Sequence, residues 1–539
     1  MGADDQSPAE SMPEPALLTL ARKKFGALAR AEEEFFRAAQ GGRAASALTG
    51  NKDKDNPADA ANWPVDRAVR ANCISWICTD LRALALMTYR GLELQGMRID
   101  GELNLSNAEI KFLFSAQKCA FSEDISLQDA QLRGFYLVGC QIKGLNAERA
   151  VINGSVFLRA GFRATSEVNL MGTKIGGGLD CSGAQFSNAK GPALTAEGAK
   201  IEGNVFLRDG FKAEGEVNLV DATIGGRLGC RGAQFLNAKG SALSASRARI
   251  EGTVFLVDGF KAEGTVNLVG ATIIGNLQIV RILEAQQTIL YLSLAKVGTF
   301  WDDEKSWPKP GNLFLDGFRY ERLFENAPFQ ADSRKKWLSL QPRYKFLPQP
   351  YEQLAAVLRQ MGYEPDSRQI MIEKNRERAR FTHFPHQSWW WYNFFGKLIG
   401  YGYRPWRAFA MSVAMILLGT FLFHLGFAHD VISPTGENAY ARTANGQVIL
   451  EQNGRPKISE KYPVFNAFFY SLESFTPLLK LDQSANWAPN ANRGPEISPF
   501  HFGIARTGEL LRYHLYFHIA AGWLLTSLWV GAVTGLVKT

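Results

Sequence analysis

Three near-identical segments recur in the chain at intervals of 49 residues: Val156-Phe-Leu-Arg-Ala-Gly-Phe162, Val205-Phe-Leu-Arg-Asp-Gly-Phe211 and Val254-Phe-Leu-Val-Asp-Gly-Phe260. A V-N-L tripeptide follows each segment, and the pairs Cys181/Cys230 and Phe186/Phe235 keep the same interval. A fixed period of this length indicates stacked supersecondary units that share one core. The repeat therefore decides the architecture of the region that contains it.

The pattern inside each repeat favours strands over helices. Apolar residues occur as short V-x-L units, whereas a helix needs apolar residues three or four apart over ten or more positions. Such alternation, interrupted by glycine, is typical of short strands joined by tight corners. The glycines Gly176-Gly177-Gly178, Gly225-Gly226, Gly203 and Gly252 are expected at corners that require a positive φ. The sequence thus predicts a parallel β-solenoid.

The units resemble those of the pentapeptide-repeat family and related right-handed quadrilateral β-helices. Val217-Asn218-Leu219-Val220-Asp221, followed by Ala222-Thr-Ile-Gly-Gly226, shows the likeness, which extends from about Gly91 to Tyr320. The coils are longer than the regular five-residue step of that family. The resemblance implies that the Leu and Ala positions face inwards and the Asn between them faces outwards. We therefore predict a mainly β protein: a parallel right-handed quadrilateral β-solenoid with helical caps and a C-terminal α-helical two-span membrane domain.

Charge and cysteine content narrow the possible partners and compartment. The chain of 539 residues carries a net charge of +8, yet residues 91–290 contain about as many acidic as basic residues. Some pentapeptide-repeat proteins imitate DNA with an acidic rod, and this rod lacks that charge, so we expect no DNA mimicry and no nucleic-acid partner. All six cysteines precede residue 231, and Cys181 and Cys230 occupy inward repeat positions as small hydrophobes. No signal peptide is recognisable at Met1, so we expect the rod to be cytoplasmic and reduced.

Two segments are long and apolar enough to cross a bilayer. Ala408 to Ala428 and Tyr513 to Val537 contain no Asp, Glu, Lys or Arg. Seven Lys or Arg lie between Lys374 and Arg407, beside an aromatic cluster at Trp389 to Tyr392. By the positive-inside rule, both termini face the cytoplasm and residues 429–512 lie outside. The predicted location is the bacterial inner membrane, with the lipid bilayer as one partner.

Helical patterns flank the repeat region on both sides. Leu17 to Phe36 predicts an amphipathic helix, residues 64–88 a helical cap, and 41–62 a disordered linker. Pro350 and Pro365 each begin a helix, which together predict an αα-hairpin that caps the last coil. The predicted domains are a disordered or helical N-terminal segment (1–62), a helical cap (63–90), the solenoid (91–325), a helical adaptor (326–404) and the membrane domain (405–539, with spans at about 406–428 and 513–537 and a pore-helix-like segment at 463–482).

The loop between the spans contains the segment Phe465 to Asp482, whose first half is apolar and helical in pattern and whose second half is extended after Pro477. Span, short helix, extended loop and span in this order resemble the pore module of two-span potassium channels. The filter of that family begins T-x-G-Y-G, but Thr476 is followed here by Pro477-Leu-Leu-Lys480, so the resemblance does not imply selective K⁺ conduction. The candidate pore-like residues are Tyr470, Ser471, Glu473, Thr476 and Lys480. The other interpretation is an interfacial aromatic helix that covers the hairpin.

Histidines provide few candidates for catalysis. No His precedes residue 383, which removes the commonest general base and metal ligand from the rod. His514 and His518 lie one helical turn apart, and His424 lies near the outer end of the first span, an arrangement that could serve haem or a metal. The alternative is a structural role through hydrogen bonds, which we favour. We find no catalytic motif, so we expect no enzyme, no cofactor and no metal.

The order of parts also resembles bacterial membrane proteins that are sometimes labelled membrane-associated oxidoreductases. The likeness is carried by the helix Gln349 to Leu354 and the junction Gly400 to Arg407. We find no dinucleotide fingerprint or redox cysteine pair that supports this label. The leading hypothesis is a protein-binding scaffold or sensor with an unknown protein partner on the solenoid. The alternatives are an oligomeric, ion channel-like protein and, second, an oxidoreductase.

Overall fold

The computed structural model of the protein describes residues 14–382, 388–436, 438–452, 454–497 and 505–536. The chain forms two compact units, one that extends to Met371 and one that begins at Ile372. A parallel β-solenoid of about 10 turns makes up most of the first unit. The second unit contains two long apolar helices. The prediction of a parallel solenoid with helical segments is confirmed.

Two parallel sheets form the solenoid, one of 17 strands and one of 15 strands. The strands of the first sheet are Ala45–Ser46, Leu92–Gln95, Glu109–Gln117, Gln131–Val138, Val151–Ile152, Val156–Arg159, Lys174–Ile175, Leu179–Asp180, Lys200–Ile201, Val205–Phe206, Thr223–Ile224, Leu228–Gly229, Arg249–Ile250, Val254–Val257, Thr272–Val280, Lys296–Asp302 and Arg319–Leu323. Those of the second are Ala68–Arg70, Arg98–Asp100, Leu103–Asn104, Ala120–Phe121, Ile125–Ser126, Gln141–Ile142, Leu145–Asn146, Arg163–Ala164, Val168–Asn169, Gln185–Thr195, Lys212–Asn218, Gln234–Ser244, Lys261–Asn267, Thr288–Tyr291 and Leu313–Phe314.

Each repeat interval contains two turns of unequal length. Val156 pairs with Leu179 in the next turn, and Leu179 pairs with Val205 in the turn after that, so the second step along the chain is longer than the first. The longer turn carries its additional residues in the strand Gln185–Thr195, where the register shifts. The side chain of Asn188 closes this bulge by donating to the carbonyl oxygen of Pro192 at 2.8 Å. The repeat seen in the sequence is therefore a pair of turns.

One stack of phenylalanine rings runs through the core of the repeat. The rings of consecutive turns lie 5.4 to 5.6 Å apart, and all are fully buried: Phe162, Phe186, Phe211, Phe235 and Phe260. In the V-N-L units, Val217 and Leu219 are buried while Asn218 faces outwards. The Oδ1 atom of Asn218 accepts the backbone N–H of Val220 at 2.9 Å, so this residue also stabilises the following corner.

The expectation of positive φ at the clustered glycines is wrong. Gly177, Gly203, Gly226 and their neighbours do not adopt the left-handed conformation. A Cβ atom on Gly203 would lie 2.8 Å from the carbonyl oxygen of Gly177, and one on Gly226 would lie 2.8 Å from that of Gly203. Consecutive turns approach so closely at this corner that no side chain fits between them. Glycine is needed here for contact between turns.

Left-handed residues occur at other corners, and at one of these corners they recur once per turn. Glycine occupies only four of these positions; the ten residues are Asn107, Asp129, Arg149, Gly172, Gly198, Asp221, Arg247, Gly270, Leu294 and Gly317. Ion pairs between neighbouring turns join Arg149 to Asp129 at 2.8 Å and Arg247 to Asp221 at 2.7 Å. Since most of these residues are not glycine, the positions could not be identified from glycine content.

Four helices cover the first turn: Ala16–Phe25, Arg30–Gly41, Ala71–Thr79 and Leu81–Ala85. The single helix predicted from Leu17 to Phe36 is broken after Phe25, and its partner is the third helix, where the ring of Trp76 lies 5.9 Å from that of Phe36. The segment predicted as a disordered linker, 41–62, instead pairs Ala45–Ser46 with the solenoid. Asp55 accepts N–H groups of this segment and pairs with Arg67, contacts that composition does not reveal.

Three helices follow the last turn: Ala331–Ser339, Gln349–Gln360 and Glu364–Phe381. The two helices predicted to begin at Pro350 and Pro365 are confirmed to within a residue or two. Gln349 accepts the backbone N–H of Gly317 at 2.9 Å and donates to the carbonyl oxygen of Phe318 at 3.0 Å. Gln353 donates to the carbonyl oxygen of Tyr320 at 2.7 Å. The side-chain amides of Gln349 and Gln353 thus form hydrogen bonds with backbone groups at the open edge of the last turn, where a further strand could otherwise pair.

In the second unit, the long helices are Trp406–Ala428 and Thr507–Thr534. The smaller elements are a π-helical turn (Trp391–Phe395), the helices Gly396–Leu398, Ala467–Phe475 and Gln483–Asn486, and two strand pairs (Ile432–Pro434 with Trp487–Pro489, Glu496–Ile497 with Ala505–Arg506). Both long helices are long and apolar enough to cross a membrane, a property that some core helices share. The second begins earlier than predicted, and Val537 lies outside the described residues.

Candidate functional site

The helix Ala467–Phe475 packs between the two long helices of the second unit. The side chain of Asn466 caps it by accepting the N–H groups of Phe468 and Phe469 at 3.0 and 3.1 Å. Glycine makes room for it on both sides: a Cβ on Gly419 would lie 2.5 Å from Ser471 Oγ, and one on Gly522 would collide with the carbonyl of Phe475. We call this element the wedge helix.

Ser471 connects the wedge helix to both long helices. Its hydroxyl donates to the carbonyl oxygen of Ile416 at 2.8 Å, and its Oγ lies 3.1 Å from Nε2 of the buried His518. The same Nε2 atom lies 3.1 Å from the carbonyl oxygen of Ser471. Because the hydroxyl proton is used on Ile416, these contacts require a proton on Nε2 of His518. The network binds three helices together.

The five predicted pore-like residues do not form one cluster. Tyr470 and Ser471 are buried in the wedge helix, and the carboxylate of Glu473 accepts the backbone N–H groups of Gln483 and Ser484 at 2.8 and 2.9 Å. Thr476 ends the helix, and Lys480 is exposed beyond a turn in which the N–H of Leu479 donates to the carbonyl oxygen of Thr476. The structure therefore gives Ser471 and Glu473 definite structural contacts.

The three candidate histidines separate into a pair and a single residue. The rings of His514 and His518 lie 5.6 Å apart, whereas His424 is exposed on the first long helix. Among the residues that the structure describes, no group of three or more His, Cys, Asp or Glu is placed to hold a metal ion.

A groove on one face of the solenoid is a second candidate site. Phe206, Gly229 and Phe255 occupy the same outward position in three consecutive turns. Because Gly229 has no side chain, a cavity of about 280 Å³ opens between the two rings. Its border carries four arginines and one aspartate: Arg208, Arg227, Arg231, Arg281 and Asp258. We call this site the groove face.

Charges and aromatic rings alternate along the groove face. The guanidinium carbon of Arg208 lies 4.1 Å from the ring centre of Phe206. Asp258 pairs with Arg231 at 3.1 Å and also with Arg281, and Arg208 pairs with Asp209 at 3.3 Å. Two carboxylates therefore face four arginines, which leaves an excess of positive charge. Farther along the same ladder, the rings of Trp301 and Phe324 stack at 4.3 Å. Exposed aromatic and arginine side chains are the types most enriched at protein interfaces.

The sequence interpretation missed this groove, although a signal was present. Phe157, Phe206 and Phe255 are the second residues of the repeated segments, where inward and outward alternation predicts exposure. A large aromatic residue at a repeated outward position is a binding signal that the inward residues do not give. Gly229 could not be recognised, because the sequence does not show that its turn lies between those of Phe206 and Phe255.

Comparison of the chain with known protein families, with curated proteins and with solved structures finds no match.

Proposed function

We propose that the protein is a membrane-anchored β-solenoid that acts as a scaffold or sensor by binding a protein partner on the groove face. The observation that carries this proposal is the cavity over Gly229, with aromatic rings on two sides and arginines at its border. The complementary partner is an acidic segment that presents one apolar side chain. The apolar group would fill the cavity, and its carboxylates would pair with Arg208 and Arg227.

The finer architecture belongs to the same proposal. We infer a right-handed, quadrilateral solenoid, and the strand pairing supports four sides. Each turn pairs at four successive positions, as in the turn that contains Lys200–Ile201, Val205–Phe206, Lys212–Ala213 and Val217–Asn218. Four flat sides give a partner a straight ladder of repeated side chains.

Anchoring in the bacterial inner membrane is supported by the two long helices. Only 17% of the most apolar stretch of the first helix and 22% of that of the second are buried within the protein. The core helix of a soluble domain would be mostly buried. Lys397, Arg404 and Arg407 precede or begin the first of them. Positive charge at this end supports cytoplasmic termini and an external segment 429–512.

Binding rather than catalysis is proposed because the sequence offers no catalytic pattern in the rod. No His precedes residue 383, and no dinucleotide fingerprint is recognisable. The oxidoreductase alternative rests only on the likeness of the sequence to chains with that label. Among the described residues of the site, no contact favours it.

Site-directed photo-crosslinking in cells tests the proposal. A photoreactive phenylalanine at Phe206 or Phe255 should yield one discrete protein adduct, and the same group at Lys174 or Lys200, exposed on another side, should not. The double substitution Arg208→Glu with Arg227→Glu should abolish the adduct. The matched reversal Lys174→Glu with Lys200→Glu should preserve it. Equal crosslinking from both sides, or none from the groove, would contradict the proposal.

An ion pathway is the second candidate function, and the wedge helix favours it. A short helix held between two spans by Ser471 and Gly522 is the arrangement on which the pore resemblance rests. Two spans per chain cannot enclose a pore, so this function needs an oligomer. The measurements are the oligomeric state in detergent and conductance in planar bilayers, where Lys480→Glu should shift an anion preference towards cations. A monomer without conductance would eliminate this function.

A further inference from the structure

A basic cavity of about 400 Å³ lies at the start of the first long helix. Its walls come from the second unit alone, from the helical residues after Ile372 and from the segment 391–407. Five of its ten lining residues are cationic and none is acidic: Arg376, Arg380, Lys397, Arg404 and Arg407. The positive charge noted in the sequence is thus concentrated in a defined cavity.

Some of this charge is neutralised and some is not. Arg376 pairs with Glu373 at 3.2 Å, and Arg380 pairs with Glu377. Among the described residues, no carboxylate lies within ion-pair distance of Lys397, Arg404 or Arg407. Three like charges around one cavity repel one another, and an anion bound between them would offset this repulsion.

An unused hydrogen-bond donor gives an independent indication of the ligand. The Oδ1 atom of Asn393 accepts from Lys397 Nζ at 3.3 Å. The Nδ2 atom of the same residue is inaccessible to water and has no acceptor among the described residues. A buried donor without an acceptor is costly, and the residue that carries it lines the cavity. Rotation of this amide towards an anion bound beside Lys397 would supply the acceptor that Nδ2 lacks.

The loop that shapes the cavity is held in a strained conformation. Gly400, Tyr401 and Gly402 are all left-handed, with φ of 60°, 53° and 82°. The hydroxyl of the buried Tyr401 donates to the carbonyl oxygen of Tyr392 at 3.0 Å. Strain of this kind in a non-glycine residue is typical of sites that must be preorganised. Here it places Arg404, two residues after Gly402, at the edge of the cavity, where its backbone N–H donates to the carbonyl oxygen of Ile399 at 3.3 Å.

We propose that this cavity binds a phosphate group, carried by the headgroup of an anionic phospholipid. Arginine matches the oxygens of phosphate with paired donors, and lysine adds a point charge. Trp390 and Trp406, near the start of the first long helix, are 54% and 63% exposed, and tryptophan is enriched at the level of lipid headgroups. The choice of a lipid as the source of the phosphate rests on the proposed membrane anchoring. The choice of phosphate does not.

The test uses the purified full chain in a nonionic detergent. Short-chain phosphatidylglycerol, short-chain phosphatidylcholine and inorganic phosphate are titrated separately, and tryptophan fluorescence reports binding. Phosphatidylglycerol should bind at least about tenfold more tightly than phosphatidylcholine, because both lipids carry a phosphate but the choline cation of phosphatidylcholine is repelled by Lys397, Arg404 and Arg407. Its affinity should fall with added salt.

Substitutions assign the binding to the cavity. Lys397→Gln with Arg404→Gln should weaken phosphatidylglycerol binding at least about tenfold. Lys174→Gln with Lys200→Gln, an equal loss of charge on the solenoid, should leave it unchanged. Lys397→Arg with Arg404→Lys keeps the charge and should retain binding, which protects the test against a misfolded glutamine variant.

The outcomes separate this inference from the proposed function. Inorganic phosphate binding that depends on Lys397 and Arg404, without preference for phosphatidylglycerol, would support the phosphate site and assign it to a soluble ligand. Equal binding of both lipids together with no phosphate binding would overturn the inference. So would unchanged affinity in the glutamine variant. None of these results depends on a partner at the groove face.

Discussion

Replacement of Phe211 by alanine tests whether the ring stack stabilises the solenoid. Phe211 is fully buried, and its ring lies 5.4 Å from Phe186 and 5.5 Å from Phe235. Loss of a buried phenylalanine costs about 3–5 kcal/mol, because burial is lost and a cavity remains. Two ring contacts of about 0.5–1.5 kcal/mol each place the expected loss in the upper part of that range.

Phe206 supplies a matched control five residues earlier in the same turn. Its ring faces outwards and is partly exposed. Phe206→Ala removes the same atoms without leaving an internal cavity, so we expect a loss below about 1.5 kcal/mol. Urea unfolding of the full chain in detergent, followed by brief proteolysis at each concentration, gives the midpoint for the solenoid. Equal shifts of the midpoint for both variants would refute the inward and outward register.

A double-mutant cycle then tests whether the rings act as one stack. Phe211→Ala and Phe235→Ala remove neighbouring rings, so their effects should differ from additivity by about 0.5–1.5 kcal/mol. Phe162 and Phe235 are separated by two intervening rings, and their effects should add to within about 0.5 kcal/mol. Strong coupling of the distant pair would mean that the turns do not stabilise one another mainly as nearest neighbours.

The repeat alone was sufficient to predict the parallel solenoid. The V-x-L alternation identifies buried positions such as Val217 and Leu219 without any knowledge of neighbouring turns, because side-chain direction follows from the strand itself. The number of turns per repeat, in contrast, could not be predicted from the sequence. A shorter and a longer turn add to one clear period, so only the strand pairing, as between Val156 and Leu179, shows which turns are adjacent.

The prediction of positive φ at the clustered glycines was wrong for the same reason, because the contacts between neighbouring turns are not visible in the sequence. Glycine is required both at positive φ and where backbones approach closely, and sequence does not distinguish these reasons. At Gly203 the reason is the carbonyl of Gly177 in the preceding turn. At one left-handed corner, the non-glycine residues Asp221 and Arg247 form an ion pair between neighbouring turns, which glycine content does not reveal.

The sites were less predictable than the fold. Ser471 was selected for its likeness to a pore helix, but its contact with His518, 47 residues away, depends on how three helices pack. The basic cavity is made of residues close together in sequence, and their charge was visible. Its shape depends on the left-handed turn at Tyr401, which no local pattern of side chains predicts.

Three further predictions concern the corners, the cysteines and the N-terminal cap. Gly226→Ala should destabilise the solenoid by about 1–3 kcal/mol through contact with the preceding turn, whereas Gly198→Asn should cost under about 1 kcal/mol, as urea midpoints will show. Burial raises the pKa of the Cys73 thiol to about 12 and those of Cys78, Cys181 and Cys230 well above their ordinary value. Because all six cysteines are buried, a thiol reagent should label none of them in the folded chain and all six in urea; rapid labelling of the native protein would contradict their burial. Burial raises the pKa of Glu32, but bonds from the Arg70 guanidinium and from the backbone N–H groups of Ala29 and Arg70 outweigh it, so the pKa lies below its ordinary value. A depressed pKa in the folded state means that the ionised carboxylate stabilises the fold above the pKa of the unfolded chain, and that this stability is lost as the pH falls through the folded pKa. Glu32→Gln should thus lower the unfolding midpoint at pH 7, and its difference from the unsubstituted chain should shrink below about pH 4, since the unsubstituted chain then loses the same interaction. A difference that does not change with pH would show that the Glu32–Arg70 pair does not stabilise the cap through its charge.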